Sequence, residues 1–522
     1  MSPNKYFDTY LKLEDGVKLF SRIWIPSGNE GPWPALLMRQ PYGKEIASTI
    51  TYAHPTWWAS KGFMVIVQDV RGQGESEGTF RGFSQEARDT SETHEWVRSL
   101  KECNGKLGLY GFSYQGLTQL TGKEDSKPPD CLSPAMTGFD VRNHWCSDGG
   151  AFWWHNNISW ALQLAALKMK RDNNFSAWEE IRTSIEDKSH LKKGLNLIKK
   201  YDPENFIINW IDALNGKTSF EEIELLESWM KKPMLILGGL WDPHLKGALD
   251  LYKKAKNYGG NPQIIISNST HLNWWKNSQT TLLNFFEKYL KNRDSQKLNK
   301  NKLIWNITLN TWEDIEKRSL NYKFGFDSDG NANNKIIDGS LLINSLGSGF
   351  ATIVHDPWRP VPSDGGHLGP NPGPFNRESI DQRSDIAVFQ THFLKENIQI
   401  SGIPILKTSV LSNQESFDIC LALSLVEKEK KSVQQFSTGF LRIKNLLENK
   451  PVSCTIEFQP TNISIPKGSK LRLSVSASAW PSIGINPGYT DGEYGHTTMN
   501  HKIITLNFDL KKTFMKIDSF FG

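Results

Sequence analysis

An apolar run at residues 107–110 ends directly on Gly111-Phe112-Ser113-Tyr114-Gln115-Gly116. The run reads as a buried strand, and glycines on both sides of a serine allow a sharp strand-to-helix turn that holds the hydroxyl out. Such a turn belongs where a mainly parallel sheet meets its covering helices. The neighbouring sequence agrees: residues 17–26, 34–38 and 63–67 read as further strands, and residues 86–100 place Trp96, Val97 and Leu100 on one face of a helix. Residues 234–237 and 263–266 repeat the strand pattern and close on glycines or polar residues, at the sheet end where α/β folds carry chemistry. The serine's spacing is not G-x-S-x-G, because the second glycine comes three residues after it, so the local pattern also fits a structural turn.

A serine hydroxyl is a weak nucleophile at neutral pH and needs a base, which in turn needs an orienting carboxylate. Asp242 follows the strand at 234–237, in Leu237-Gly-Gly-Leu-Trp-Asp242, and His271 follows the strand at 263–266, in Ser267-Asn-Ser-Thr-His271. Taken singly, Asp242 also fits a cap for a helix over 243–254 and His271 a loop histidine. Three such residues at three strand ends, in the order Ser, Asp, His, predict a triad.

At 522 residues the chain is longer than one core serves, which predicts two main domains and a smaller inserted one. The β pattern stops between about residues 140 and 232, where helix-like stretches such as 161–170 and 220–232 replace it. This insertion reads as a cap whose Trp145, Phe152, Trp153, Trp154 and Trp160 either line an acyl pocket or pack the cap's own core. From residue 300 onward, short alternating strands between Gly, Pro and Asn turns predict a separate β-sandwich. In residues 470–480, Leu471, Leu473 and Val475 alternate with Arg472, Ser474 and Ser476, as a strand with one buried face requires; residues 417–425 give a second such face.

At these residues the chain resembles the family of cocaine esterase, α-amino-acid ester hydrolase and Xaa-Pro dipeptidyl-peptidase. Arg39-Gln-Pro-Tyr42-Gly-Lys44, Asp69-Val-Arg-Gly-Gln-Gly-Glu-Ser-Glu-Gly78 and Gly111-Phe-Ser-Tyr-Gln-Gly116 match its segments, and the last accounts for the serine spacing. Asp356-Pro-Trp-Arg-Pro-Val-Pro362, Asp381-Gln-Arg-Ser-Asp385 and Ala479-Trp-Pro-Ser-Ile-Gly-Ile-Asn-Pro487 carry the resemblance into the last third. It implies an α/β-hydrolase catalytic domain (1–140 and 233–299), an inserted helical cap (141–232) and a C-terminal all-β jelly-roll domain (300–522). It also implies Ser113 as nucleophile, His271 as general base and acid, and Asp242 as orienting carboxylate. The Tyr42 hydroxyl and the backbone N–H of Tyr114 are then the oxyanion donors.

The implied activity is acyl ester hydrolysis, with Xaa-Pro dipeptidyl-peptidase or related amide hydrolysis as the alternative and an inactive hydrolase that binds through its sandwich as a remote one. Similar α-amino-acid ester hydrolases hold the substrate ammonium with acidic residues near the active site, whereas here His244 and Leu245 follow Asp242. A neutral or aromatic acyl group fits better, since a buried ammonium without a carboxylate is costly. The Asp69–Gly78 glycines do not make a dinucleotide fingerprint, and no cofactor is expected. His94, His244 and His367 read as surface or loop histidines, with no metal.

A net charge of +5 from 61 Lys and Arg against 56 Asp and Glu, with scattered lysine runs at 192–193 and 428–431 and no interleaved aromatics, gives no reason to expect nucleic acid. Five cysteines without metal-like spacing read as reduced thiols. No apolar run reaches the about 20 residues that span a bilayer, and no basic-then-apolar segment opens the sequence. The expectation is a cytoplasmic enzyme acting on a small ester or short peptide, with no membrane partner; its oligomeric state is not indicated.

Overall fold

The computed structural model describes residues 6–27, 31–46, 51–293, 302–316, 322–427, 432–447, 450–490 and 495–521. The junction expected at 299/300 and the lysine run at 428–431 lie outside them. The first part of the chain forms strands β1 (Tyr6–Lys12), β2 (Lys18–Trp24), β3 (Trp33–Gln40), β4 (Met64–Asp69), β5 (Cys103–Phe112) and β6 (Cys131–Ala135). Between them lie helices α1 (Pro55–Ser60), α2 (Glu86–Ser99) and α3 (Tyr114–Leu117).

An insertion follows, opening with the short pair β7 (Ser147–Asp148) and β8 (Ala151–Phe152). It continues through α4 (Trp154–Arg171), α5 (Phe175–Glu186), α6 (His190–Tyr201), α7 (Phe206–Leu214) and the single turn α8 (Glu227–Met230). The chain then returns as β9 (Leu235–Trp241), α9 (Leu245–Asn257), β10 (Gln263–Thr270), α10 (Ser278–Lys291), β11 (Lys302–Asn306) and β12 (Thr311–Asp314).

These strands make one sheet in the order β1-β2-β4-β3-β5-β6-β9-β10-β11-β12, parallel from β4 to β11 and antiparallel at both edges. β4 and β9 are buried along their whole length because helices cover both faces, which is why they read as continuous apolar runs. The period of two sorts their side chains. Leu37, Ile66 and Leu109 join one core with Val97 of α2, while Leu36, Val65 and Tyr110 join another with Trp58 of α1 and Phe286 of α10.

The rest of the chain is all-β. All but one of its described strands follow one hydrogen-bonded path, in which the long strands Ile398–Ser412 and Ile504–Asp518 pair with each other, and Thr461–Ile465 pairs with Ile398–Ser412 off that path. Phe417–Glu427 lies between Ser432–Ile443 and Lys470–Ser476. The chain is therefore an α/β-hydrolase-like domain followed by an all-β domain.

Three expectations change. Residues from 300 onward were assigned to the sandwich, yet β11 and β12 extend the first sheet; an edge strand's alternation does not say which sheet it joins. Of the helix expected over 220–232, only α8 forms. Phe220 and Ile223 pack on the insertion's core while Leu225 and Leu226 enter the sheet's core, and extended backbone bridges that gap at roughly twice the rise per residue of a helix. Finally, Lys470–Ser476 buries both faces. Arg472 and Ser474 are sealed by Asp381, whose carboxylate accepts from Arg472 Nη1 (3.1 Å) and Ser474 Oγ (2.9 Å).

All five cysteines are unpaired and buried. Among the described residues no helix is long and apolar enough to cross a membrane.

Candidate active site

Ser113 stands between β5 and α3 with φ 57° and ψ −128°, a left-handed conformation that a non-glycine residue holds only when its surroundings enforce it. The enforcement is visible: its N–H donates to the carbonyls of Ala135 (3.0 Å) and Met136 (3.2 Å), at the end of neighbouring β6. Both flanking glycines are required. A Cβ on Gly111 would stand 2.5 Å from Gln115 Cβ, and one on Gly116 2.8 Å from Thr137 Cγ2. Gln115 occupies the position where the usual spacing has glycine. Its Oε1 accepts from Phe112 N–H, and its Nε2 donates to Gln40 Oε1 (3.1 Å), tying the turn to the loop that carries Tyr42.

Asp242 and His271 come together because β9 and β10 are parallel neighbours in which Trp241 pairs with Thr270, so the next residue of each strand emerges side by side. A register shift between Ser267 and Thr270 brings the two ends level. His271 Nδ1 lies 2.5 Å from Asp242 Oδ2. Since the carboxylate accepts, Nδ1 carries the proton and Nε2 is left as the basic nitrogen.

Asp242 is fully buried, and burial alone would raise its carboxyl; the facing His271, the ring N–H and the His244 backbone N–H (2.8 Å to Oδ1) outweigh this and hold it below the usual carboxylate value. The His271 ring centroid is 5.1 Å from that of Phe112, the residue before the serine, so Asp242, His271 and Ser113 gather at the ends of β9, β10 and β5.

Tyr42 follows β3, next to β5, and is half-buried. Burial pushes its phenol up to about 12, so it stays a donor at neutral pH, and the Trp160 indole approaches the hydroxyl without meeting hydrogen-bond geometry. Tyr114 is the first residue of α3, where a backbone N–H has no partner within the helix. Its side chain points the other way, donating from the hydroxyl to Glu86 Oε1 (2.7 Å) and accepting from Phe83 N–H (3.1 Å). Glu86 also faces Arg39 Nη1 (2.9 Å).

Of the insertion's aromatic group, Trp145, Phe152 and Trp154 pack in the insertion's core with Trp160 against it, and Trp153 joins a separate cluster with the all-β domain. Trp145 and Trp160 stand against Tyr114, over the serine turn, whereas Trp154 packs on Trp480 and Trp153 bridges to Ile483 of the all-β domain. His94, His244 and His367 are all buried, contrary to their surface or loop reading. His94 stacks on Trp229 (5.3 Å), His367 Nε2 meets Asp148 Oδ2 (2.8 Å), and the ring of His244 lies 5.3 Å from that of His271.

Gln459, from the all-β domain, donates to the Asp242 carbonyl (2.8 Å). No sequence signal marked Gln459 or Glu86, because their partners are 217 and 28 residues away. Among the described residues no set of three His, Cys, Asp or Glu side chains gathers as metal ligands.

Residues 15–273 match the family model of X-Pro dipeptidyl-peptidase (S15 family), and residues 288–509 match that of the X-Pro dipeptidyl-peptidase C-terminal non-catalytic domain. The chain belongs to this serine hydrolase family, which includes cocaine esterase. The cocaine esterase of Rhodococcus sp. (strain MB1 Bresler) is 23% identical over 529 residues, covering 91% of each protein. Solved structures share the fold over nearly the whole chain. An aminopeptidase from a marine sediment archaeon, Thaumarchaeota archaeon, superposes with a TM-score of 0.73 at 18% identity, covering 99% of this chain and 97% of that one. An α-amino acid ester hydrolase gives 0.71 at 19% identity with the same coverage.

Proposed function

We propose that this serine hydrolase is an acyl esterase that cleaves carboxylic esters of neutral or aromatic acids through an acyl-enzyme on Ser113. In this reading His271 Nε2 takes the Ser113 proton as Oγ attacks the carbonyl, and Asp242 holds the imidazole in the required tautomer and stabilises its charged form. The Tyr42 hydroxyl and the Tyr114 N–H hold the oxyanion, His271 protonates the departing alkoxide, and water repeats the sequence to release the acid. The observation that carries the reading is the 2.5 Å contact between Asp242 and His271 beside a serine held at positive φ.

Residues 1–140 and 233–299 then form the catalytic unit together with β11 and β12, residues 141–232 the cap, and the remaining all-β domain a brace that reaches the acid loop through Gln459.

The family name favours a second reading, removal of an Xaa-Pro dipeptide, which requires a group to bind the substrate's terminal ammonium. Asp242 is already committed to His271 and to the His244 N–H, which supports the ester reading. Turnover of phenyl butyrate in excess of an alanyl-prolyl anilide, and fluorophosphonate labelling that disappears in Ser113→Ala, are the expected results. Equal labelling of the variant would remove Ser113 from the mechanism, and the opposite substrate preference would replace esterase by peptidase.

A further inference from the structure

His244 is the N-cap residue of α9 and is pinned on several sides. Its backbone N–H binds Asp242 Oδ1, its ring Nδ1 lies 2.7 Å from the His144 carbonyl, and its ring packs against Trp145 (4.5 Å), His271 (5.3 Å) and Trp153 (5.8 Å). His144 is itself anchored, with Nδ1 accepting from Asp140 N–H (3.1 Å) and Nε2 facing Asp250 (3.1 Å). The ring of His244 therefore has little freedom to turn.

A backbone carbonyl only accepts, so the contact with His144 puts the His244 proton on Nδ1 and leaves Nε2 a lone-pair acceptor as long as the ring is neutral. Burial keeps it neutral. It pushes the imidazole down to about 4, with the neighbouring His271 and His144 adding to the effect and Asp242 and the carbonyl contact opposing it.

Nε2 takes no hydrogen bond from any described residue, although the residue as a whole is only 6% exposed. It differs from the ring nitrogens of His94 and His355, which are sealed in the interior without partners; His244 Nε2 keeps access to solvent. The ring lies between His271 and Trp145, and Trp145 in turn packs against Tyr114, the residue following Ser113. An acceptor fixed in place, unpaired and otherwise surrounded by aromatic carbon discriminates strongly, because a ligand that supplies a donor gains a bond that one without it cannot replace.

We propose that His244 is a specificity-determining residue whose Nε2 accepts a hydrogen bond from an N–H or O–H group on the acyl portion of the substrate, so that the preferred esters carry an uncharged donor near the scissile carbonyl. The assignment rests on the esterase reading and narrows its substrate class. An amide N–H or a hydroxyl meets the requirement, and a plain alkyl chain does not.

The phenyl esters of N-acetylglycine and 4-oxopentanoic acid test it, since they differ only by N–H against CH2. The wild type is expected to favour the N-acetylglycine ester by about three- to tenfold in kcat/KM, the range of one net hydrogen bond. His244→Phe, which keeps a flat ring but no acceptor, is expected to bring that ratio to about one, and His244→Gln, which restores an acceptor, to recover part of it. The wild-type ratio needs no variant, so a misfolded substitution does not decide the outcome. Equal use of the two esters by the wild type, or a preference that survives in His244→Phe, overturns the assignment and leaves the esterase reading standing. Failure of the wild type to hydrolyse either ester, or phenyl butyrate, overturns both.

Discussion

Gly116 shows how one position combines backbone and side-chain constraints. The sequence has glycine three residues after Ser113, and the fold explains why: α3 crosses the end of β6 so closely that a Cβ there meets Thr137 Cγ2 at 2.8 Å, Thr137 Cβ at 2.9 Å and the Ala135 carbonyl at 3.0 Å. The Ala135 carbonyl also accepts from Ser113 N–H, so relieving the clash moves the anchor of Ser113 itself. Gly116→Ala is expected to destabilise the protein by about 1–3 kcal/mol, the usual range for overpacking, and to lower kcat together with it. Thermal denaturation and ester turnover measure the two effects. An unchanged melting temperature with full activity would mean that the turn tolerates the methyl group. The serine turn was legible in the sequence because both its glycines and its serine are local; the reason for the unusual spacing was not, since Thr137 and Gln40 approach only through the sheet.

At the scale of elements, α2 and α3 meet through Glu86, Arg39 and Tyr114, all essentially excluded from solvent. Burial raises the Glu86 carboxyl, with Arg39 and the Tyr114 hydroxyl opposing, so the three groups hold one another in place behind the serine turn. The two tyrosines of the site therefore have different expected signatures. Tyr114→Phe leaves Glu86 Oε1 and the Phe83 N–H buried without that partner, which costs about 1–3 kcal/mol of stability, yet it keeps the backbone N–H proposed as an oxyanion donor. Tyr42→Phe removes the hydroxyl proposed as an oxyanion donor and is expected to cut kcat by about 10²–10³ with little change in melting temperature. Measuring kcat and melting temperature for both variants separates the roles; a large stability loss in Tyr42→Phe with unaltered kcat would move Tyr42 out of the chemistry. Strand-end positions of Asp242 and His271 were readable because the β9 and β10 patterns are local. The burial of His94, His244 and His367 was not, because a single histidine carries no periodicity and its partners lie on other elements.

Across the whole molecule, the insertion and the all-β domain are joined through a cluster of buried polar side chains. Asp148, on β7, faces His367 Nε2 at 2.8 Å and Lys246 Nζ at 3.7 Å, and His367 Nδ1 meets Thr438 Oγ1 at 3.1 Å. Insertion, α9 and all-β domain thus converge on one carboxylate, in a chain whose sequence announced the three zones but not how they lock. Burial alone would raise the Asp148 carboxyl; Lys246 and His367 outweigh it and bring it to about 2, from 3.8 for an unperturbed carboxyl. A group whose pKa is lower folded than unfolded stabilises the fold fully above the unfolded value and loses that contribution as pH falls through the folded one. The stabilisation from this carboxylate is therefore complete above about pH 4 and disappears towards pH 2. Asp148→Asn is expected to lower the melting temperature at pH 6, where Lys246 loses its anionic partner, and the gap from wild type is expected to close as pH falls from about 4 to 2. Calorimetric melting of both proteins across that range provides the check. A gap that stays constant down to pH 2 would show that Asp148 acts through shape and hydrogen bonding alone. A gap that closes would show that the charge on one buried carboxylate helps to hold the insertion to the all-β domain, which also reaches the Asp242 loop through Gln459.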